Sequence, residues 1–181
     1  MNITFVTGSD KKVAEMERIL NTSVDRVALD LPEIQSLDLE TVVRDKAERA
    51  YDAVGKPVMV EDTALVFHAL GRLPGTFIKW FLDELGFEGL CALLPPETDR
   101  SATVSASIAY HDGETIHVCT GTCEGSIAEH PREGEGFGFD CIFIPEGYDQ
   151  TWSELPNGVK DGMSHRARAA KKLADFLDEK K

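Results

Sequence analysis

Basic residues are scarce. Lys and Arg number 19 against 32 Asp and Glu, a formal charge of −13. Phosphate polymers reward basic surfaces, so this balance excludes a nucleic acid as the main partner. It leaves room for a small anion in a local basic pocket. Cysteine is sparse too. Cys91, Cys119, Cys123 and Cys141 fit neither a CxxC pair nor a zinc spacing, and they are too few to staple a chain of 181 residues. Reduced thiols and a cytoplasmic setting are the expectation. No apolar run approaches the ~18 residues of a membrane span, so no membrane is expected as a partner. Met1–Val6 carries neither the basic nor the apolar part of a secretory leader. Repeats, low-complexity tracts and flexible linkers are absent. What is present is a hydrophobic fraction of 42%, enough for a core without metal or disulfide staples.

Periodicity then sets out an order of elements. Ile3–Val6 is an apolar β-run ending in a tight loop. Val13, Met16, Ile19 and Leu20 recur at helical spacing behind Ser9 or Asp10 as cap. Val24–Leu29 reads as a second strand. Leu39, Val42, Val43, Ala47, Ala50, Tyr51 and Val54 mark a second helix, stopped by Gly55-Lys56-Pro57. Val58–Val60 is a short buried strand running into Glu61-Asp62-Thr63. Thr76–Leu85 is apolar on most of its circumference, more than one core-facing stripe requires, and points to packing between lobes or against a second copy. Two alternating runs, 102–110 and 115–124, flank Asp112-Gly113 and predict a hairpin. Ser164 caps a last helix running to Leu177. Strand–helix units followed by a hairpin predict an α/β protein with a mixed sheet.

Several features bear on chemistry, each with a plain structural alternative. Lys11 and Lys12 sit in the first turn of a helix after Thr7-Gly8-Ser9-Asp10. A helix N-terminus favours anions, so two cations there oppose the dipole unless phosphate compensates; the alternative is an ordinary capped turn. Ser164-His165-Arg166 repeats the anomaly, and a surface basic patch is its alternative. Lys46 falls on the apolar face of its helix, and Lys79 interrupts Phe77-Ile78 and Trp80-Phe81; both admit snorkelling. Glu61-Asp62 ends a strand and Glu33 follows a proline, where separate carboxylates meeting at a cleft suit Mg²⁺ carrying substrate phosphates. N-capping and solvation are the alternatives. In Gly134–Asp140, glycines allow close approach of backbone to ligand while Phe137 and Phe139 offer stacking faces; a glycine-rich hairpin with core aromatics is the other reading.

Taken in order, these pieces resemble a known family. Thr7-Gly8-Ser9-Asp10-Lys11-Lys12, Leu31-Pro32-Glu33, Lys46-Ala47, Val60-Glu61-Asp62-Thr63, Leu73-Pro74-Gly75 with Ile78-Lys79-Trp80-Phe81, Phe137-Gly138-Phe139-Asp140 and Ser164-His165-Arg166 run as they do in the inosine triphosphate pyrophosphatases. The stretches 78–85 and 147–156 are closest to the eukaryotic and archaeal branch. The resemblance implies an elongated mixed sheet in one domain, 1–181, with two lobes around a cleft, usually as a homodimer. It implies Mg²⁺-dependent hydrolysis of ITP, dITP or XTP to the monophosphate and pyrophosphate. It places the metal on Glu33 and Asp62, with Asp62 or a close carboxylate orienting the attacking water. Phosphate contacts fall to Lys11, Lys12, Lys46 and Lys79, and Thr7, Gly8, Ser9, Asp10 and Thr63 join them in the substrate site. Lys160 and His165 close the site, Phe137, Phe139, Asp140 and Arg166 read the base, and Gly138 lies among the substrate-binding residues. Ser9 stands where the family usually has Asn, and Phe139 where it often has Trp or Tyr. A hydrolase of modified pyrimidine triphosphates and a non-catalytic nucleotide sensor are the rival readings.

Overall fold

The computed structural model describes residues 3–180. Met1 and Asn2, read above as part of a leaderless start, lie outside them, as does Lys181. Strand β1 (Thr4–Val6) leads into helix α1 (Asp10–Leu20), whose apolar residues at 13, 16, 19 and 20 turn to the core. The Ser9 hydroxyl caps it, accepting from the Lys12 N–H at 3.3 Å. Strand β2 (Asp25–Val27) is shorter than the run 24–29 expected from apolarity. Helix α2 (Leu39–Val54) is bounded as its spacing predicts, with Asp38 accepting from the Thr41 N–H at 3.3 Å and Gly55 closing it.

Strand β3 (Val58–Phe67) departs from expectation. The polar trio 61–63 does not end it, because Glu61 is buried and ion-paired rather than solvated. Strand β4 (Pro74–Gly75), helix α3 (Ile78–Ala92), and the hairpin of β5 (Ser101–His111) and β6 (Ile116–Ile127) follow. Strand β7 (Phe143–Pro145), helix α4 (Asn157–Met163) and helix α5 (His165–Glu179) complete the chain, α5 capped by the Ser164 hydroxyl.

The seven strands form one mixed sheet in the order β2-β1-β3-β5-β6-β7, with β4 added to β3. Strands β1, β2 and β3 are parallel and every other pairing is antiparallel. One half of the sheet is covered by α1 and α5 on one face, around Phe5, Met59 and Ile108, and by α2 on the other, around Val6, Val58 and Val60. The other half packs against α3 and residues 139–163, around Phe67, Leu90, Phe143 and Trp152. The expected mixed α/β sheet with flanking helices is therefore present.

One detail of register positions the site. Strand β1 pairs with β3 only at Phe5–Met59, and β4 takes up the same edge of β3 only at Leu65 and Val66. Among the described residues, 61–64 thus have no strand neighbour on that side. The sheet carries an opening at the carboxyl end of β1.

Candidate active site

Glu61 and Asp62 are adjacent on β3, and successive strand residues point to opposite faces. Glu61 turns toward α5 and α1. Asp62 turns toward α2. The opening in the sheet joins the two faces, and a cleft of about 310 Å³ fills it, within the usual range for a ligand site.

On the α2 side, Lys46 reaches from the helix face to the cleft floor. Its ammonium lies 2.5 Å from Glu33 Oε1 and 3.5 Å from Asp62 Oδ2, and it donates to the Glu61 carbonyl at 3.5 Å. Its side chain is only 16% exposed. Burial works against its charge, yet Asp62 and Glu33 hold its pKa above the ordinary lysine value. Burial also opposes ionisation of Glu33, but the hydrogen bond and charge of Lys46, with Lys79 and Lys12 beyond, hold it below the usual carboxylate range. Asp62 Oδ1 accepts from the Thr63 N–H at 2.8 Å, which fixes its carboxylate. Lys46 is therefore not a snorkelling side chain.

On the α5 side, Arg166 is 3% exposed at its side chain. Its Nε and Nη2 donate to the two Glu61 oxygens, each at 2.8 Å, and Nη1 donates to Glu15 Oε2 at 2.6 Å. Burial opposes both charges, but the pairing drives the Glu61 carboxyl far below its normal range and raises the Arg166 guanidinium. Lys12 Nζ joins Glu61 at 3.4 Å. Lys160 Nζ lies 2.6 Å from Asp140 Oδ2 and 3.7 Å from Glu15 Oε1. Asp140 also accepts from the Phe137 N–H at 2.8 Å, holding the 137–140 loop closed as a 3₁₀ turn at 138–141 rather than as a hairpin. The Phe137 ring faces both Lys160, at 5.0 Å, and Arg166, at 5.3 Å. His165 is buried, stacked on Trp152 at 5.0 Å, and its Nδ1 has no partner among the described residues. Burial, then the Arg166 charge, pushes its pKa well below 6.5, so the ring is neutral at pH 7.

Most of the expected residues meet in the cleft: Ser9, Lys12, Glu33, Lys46, Asp62, Thr63, Lys79, Phe137, Gly138, Phe139, Asp140, His165 and Arg166 line it. Others do not. Thr7 accepts from the Ser9 N–H, Gly8 accepts from Arg26, and Asp10 pairs with Arg26 at the surface, so these three shape the loop. Lys11 and Lys160 open into a neighbouring depression behind Phe137, with Arg18 and Asn157. Consecutive positions on a helix diverge by about 100°, which parts Lys11 from Lys12. Sequence reasoning missed Glu15, which anchors Arg166, and Thr76 and Leu82 on the cleft wall. The signal for Glu15 was its place three residues after Lys12, on the flank of the α1 apolar stripe.

Two carboxylates converging beside a helix N-terminus and a group of ammonium ions define an α/β protein whose cleft suits a strongly anionic ligand. Comparison with known proteins agrees. Residues 3–176 match the Ham1 family. Inosine triphosphate pyrophosphatase of Yarrowia lipolytica is 44% identical over 185 residues, spanning 99% of this chain and 97% of that protein. The Ham1 protein of Staphylococcus aureus superposes with a TM-score of 0.85 at 27% identity over all of both chains. The nucleoside-triphosphatase / dITP/XTP pyrophosphatase of Mycobacterium abscessus does so with a TM-score of 0.73 at 30% identity, covering 96% of this chain and 98% of that one. The chain belongs to the Ham1 family.

Proposed function

We propose that this protein hydrolyses non-standard purine nucleoside triphosphates, ITP, dITP and XTP, to the monophosphate and pyrophosphate, and so clears them from the nucleotide pool. The carrying observation is the meeting of Glu33 and Asp62 at one ammonium, beside Lys12 and the α1 N-terminus. The family relative named inosine triphosphate pyrophosphatase supports the substrate class.

The phosphates lie along the α1 N-terminus and Lys12, Lys46 and Lys79, whose charges offset the developing negative charge of the transition state. Glu33 and Asp62 suit Mg²⁺: they would give two carboxylate ligands to a cation whose other positions go to water and substrate phosphates. When bound, Mg²⁺ neutralises phosphate oxygens. Asp62 accepts a hydrogen bond from the attacking water and aims it at the α-phosphorus, and pyrophosphate leaves. The base enters between Phe137 and Phe139. Arg166 uses three of its five N–H donors on Glu61 and Glu15, which leaves two for the O6 of hypoxanthine or xanthine. Adenine has an amino group there, so the donors would stand unpaired against it. A cytoplasmic, homodimeric protein in one folding domain completes the reading. No helix among the described residues is long and apolar enough to cross a membrane, and the exposed Trp80, Leu85 and Phe87 of α3 offer a surface for a second copy.

A panel of nucleoside triphosphates assayed with Mg²⁺ tests this. ITP and XTP should release pyrophosphate as the first product, well ahead of ATP and of pyrimidine triphosphates; orthophosphate as first product overturns it. Asp62→Asn should lower turnover by about 10²–10⁴-fold while the circular dichroism spectrum shows the fold intact.

A further inference from the structure

Lys46 stands where a cation belongs. Its contacts of 2.5 and 3.5 Å put Glu33 Oε1 and Asp62 Oδ2 no more than 6.0 Å apart, with the ammonium between them. The two carboxylates are therefore already bridged by a positive charge. The described residues include no group of three or more metal-binding side chains that would hold an ion without them. A divalent ion entering this cleft by itself meets carboxylates that are already paired and an ammonium at contact distance, where like charges repel strongly because so little water intervenes. The other cleft cations are placed differently. Lys12 is held by Glu61 and Lys160 by Asp140, away from the Glu33–Asp62 pair. Lys79 is exposed and has no ion pair among the described residues, though its charge is felt at Glu33.

We propose that Lys46 is an internal counter-ion: in the nucleotide-free protein it occupies the divalent cation's position between Glu33 and Asp62, and it swings onto the phosphates when nucleotide arrives. The metal then enters with the nucleotide and not before it. A lysine suits the exchange because its charge is a point on a flexible four-carbon stem. The movement breaks a side-chain pair and leaves the backbone of α2 in place. Cation and phosphate assist each other through this one side chain. By linkage each raises the affinity of the other by the same factor. The proposal rests on Glu33 and Asp62 as the metal carboxylates.

Mn²⁺ is the probe, followed by the electron paramagnetic resonance signal of the free ion during titration into nucleotide-free protein. Lys46→Met keeps the buried stem and removes the charge; Lys46→Gln replaces it if circular dichroism shows the first variant unfolded. The substitution should raise Mn²⁺ affinity on the order of tenfold or more. Lys79→Met removes a nearby charge that does not sit between the carboxylates, and should change affinity by less than about threefold. Adding Asp62→Asn to Lys46→Met should erase the gain. Equal effects of the two lysine substitutions, or a wild-type affinity already as high as that of Lys46→Met, overturn the counter-ion role while the metal carboxylates stand. Mn²⁺ binding indifferent to Asp62→Asn in every background overturns the metal assignment, and the counter-ion role with it.

Discussion

Arg166 is an almost fully buried cation, held by carboxylates from two other elements, Glu61 on β3 and Glu15 on α1. Buried pairs of this kind cost much to desolvate, and their contribution shows when one partner is removed. Arg166→Met should destabilise the fold by about 3–5 kcal/mol in urea titrations, because it removes the nearest cation from two buried carboxylates. Arg166→Lys should recover little of this, since an ammonium cannot reproduce the bidentate contact with Glu61. The same pairing gives a pH signature. The Glu61 carboxyl is depressed in the folded state, so its contribution is complete above the ordinary value of 4.5 and lost as pH falls below it. The loss of stability below that pH should be shallower in Arg166→Met. Arg166 was legible in the sequence as a cation at the positive end of a capped helix. What it binds was not, because Glu61 lies 105 residues away and Glu15 lies 151 away. Local patterning carries no record of such distant pairs.

At the scale of elements, the sequence was most readable where one element explains itself. Helix α2 runs from Leu39 to Val54, before Gly55, because its apolar period and its stop residues agree. The β5–β6 hairpin turns at Asp112-Gly113 because the alternating runs and the turn chemistry agree. The length of β3 is hidden in the sequence because Glu61-Asp62-Thr63 looks like a strand end until the partners on α5 and α2 are known. Helix α3 hides a break at Gly86 (φ 66°, ψ −179°), a backbone conformation open almost only to glycine, which parts the turns bearing Lys79 from those anchored by Leu90 and Cys91. Gly121 of β6 is the point where α5 sits closest to the sheet. A Cβ there would lie 2.2 Å from the His165 carbonyl and 2.5 Å from the Ala169 nitrogen. Gly121→Ala should therefore lift the start of α5, cost about 1–3 kcal/mol, and raise KM by shifting His165 and Arg166. Gly162→Ala on α4, where a Cβ meets nothing within 4 Å, should instead leave KM unchanged and gain about 0.5–1 kcal/mol. Denaturant titration together with steady-state kinetics checks both.

For the whole molecule, the decisive fact is that β3, β5 and β6 each run through both halves of the core. Leu65 and Phe67 lie in one cluster and Met59 in another; Val104 and Ile108 divide in the same way. No linker separates the halves, so neither can lose its packing while the other keeps its strands. Differential scanning calorimetry should give one transition with equal calorimetric and van't Hoff enthalpies, and two resolved peaks would contradict this.

The interval along β3 between its two edge partners has a further consequence. A longer β1 would complete the ladder, giving residues 61–64 a strand partner on that edge, and would make a sturdier sheet. It would also run polypeptide through the space in which the carboxylates and ammonium groups meet. Reinforcement by that route ends in a plugged and inert protein, so the weakest rung of this sheet is the one its chemistry depends on.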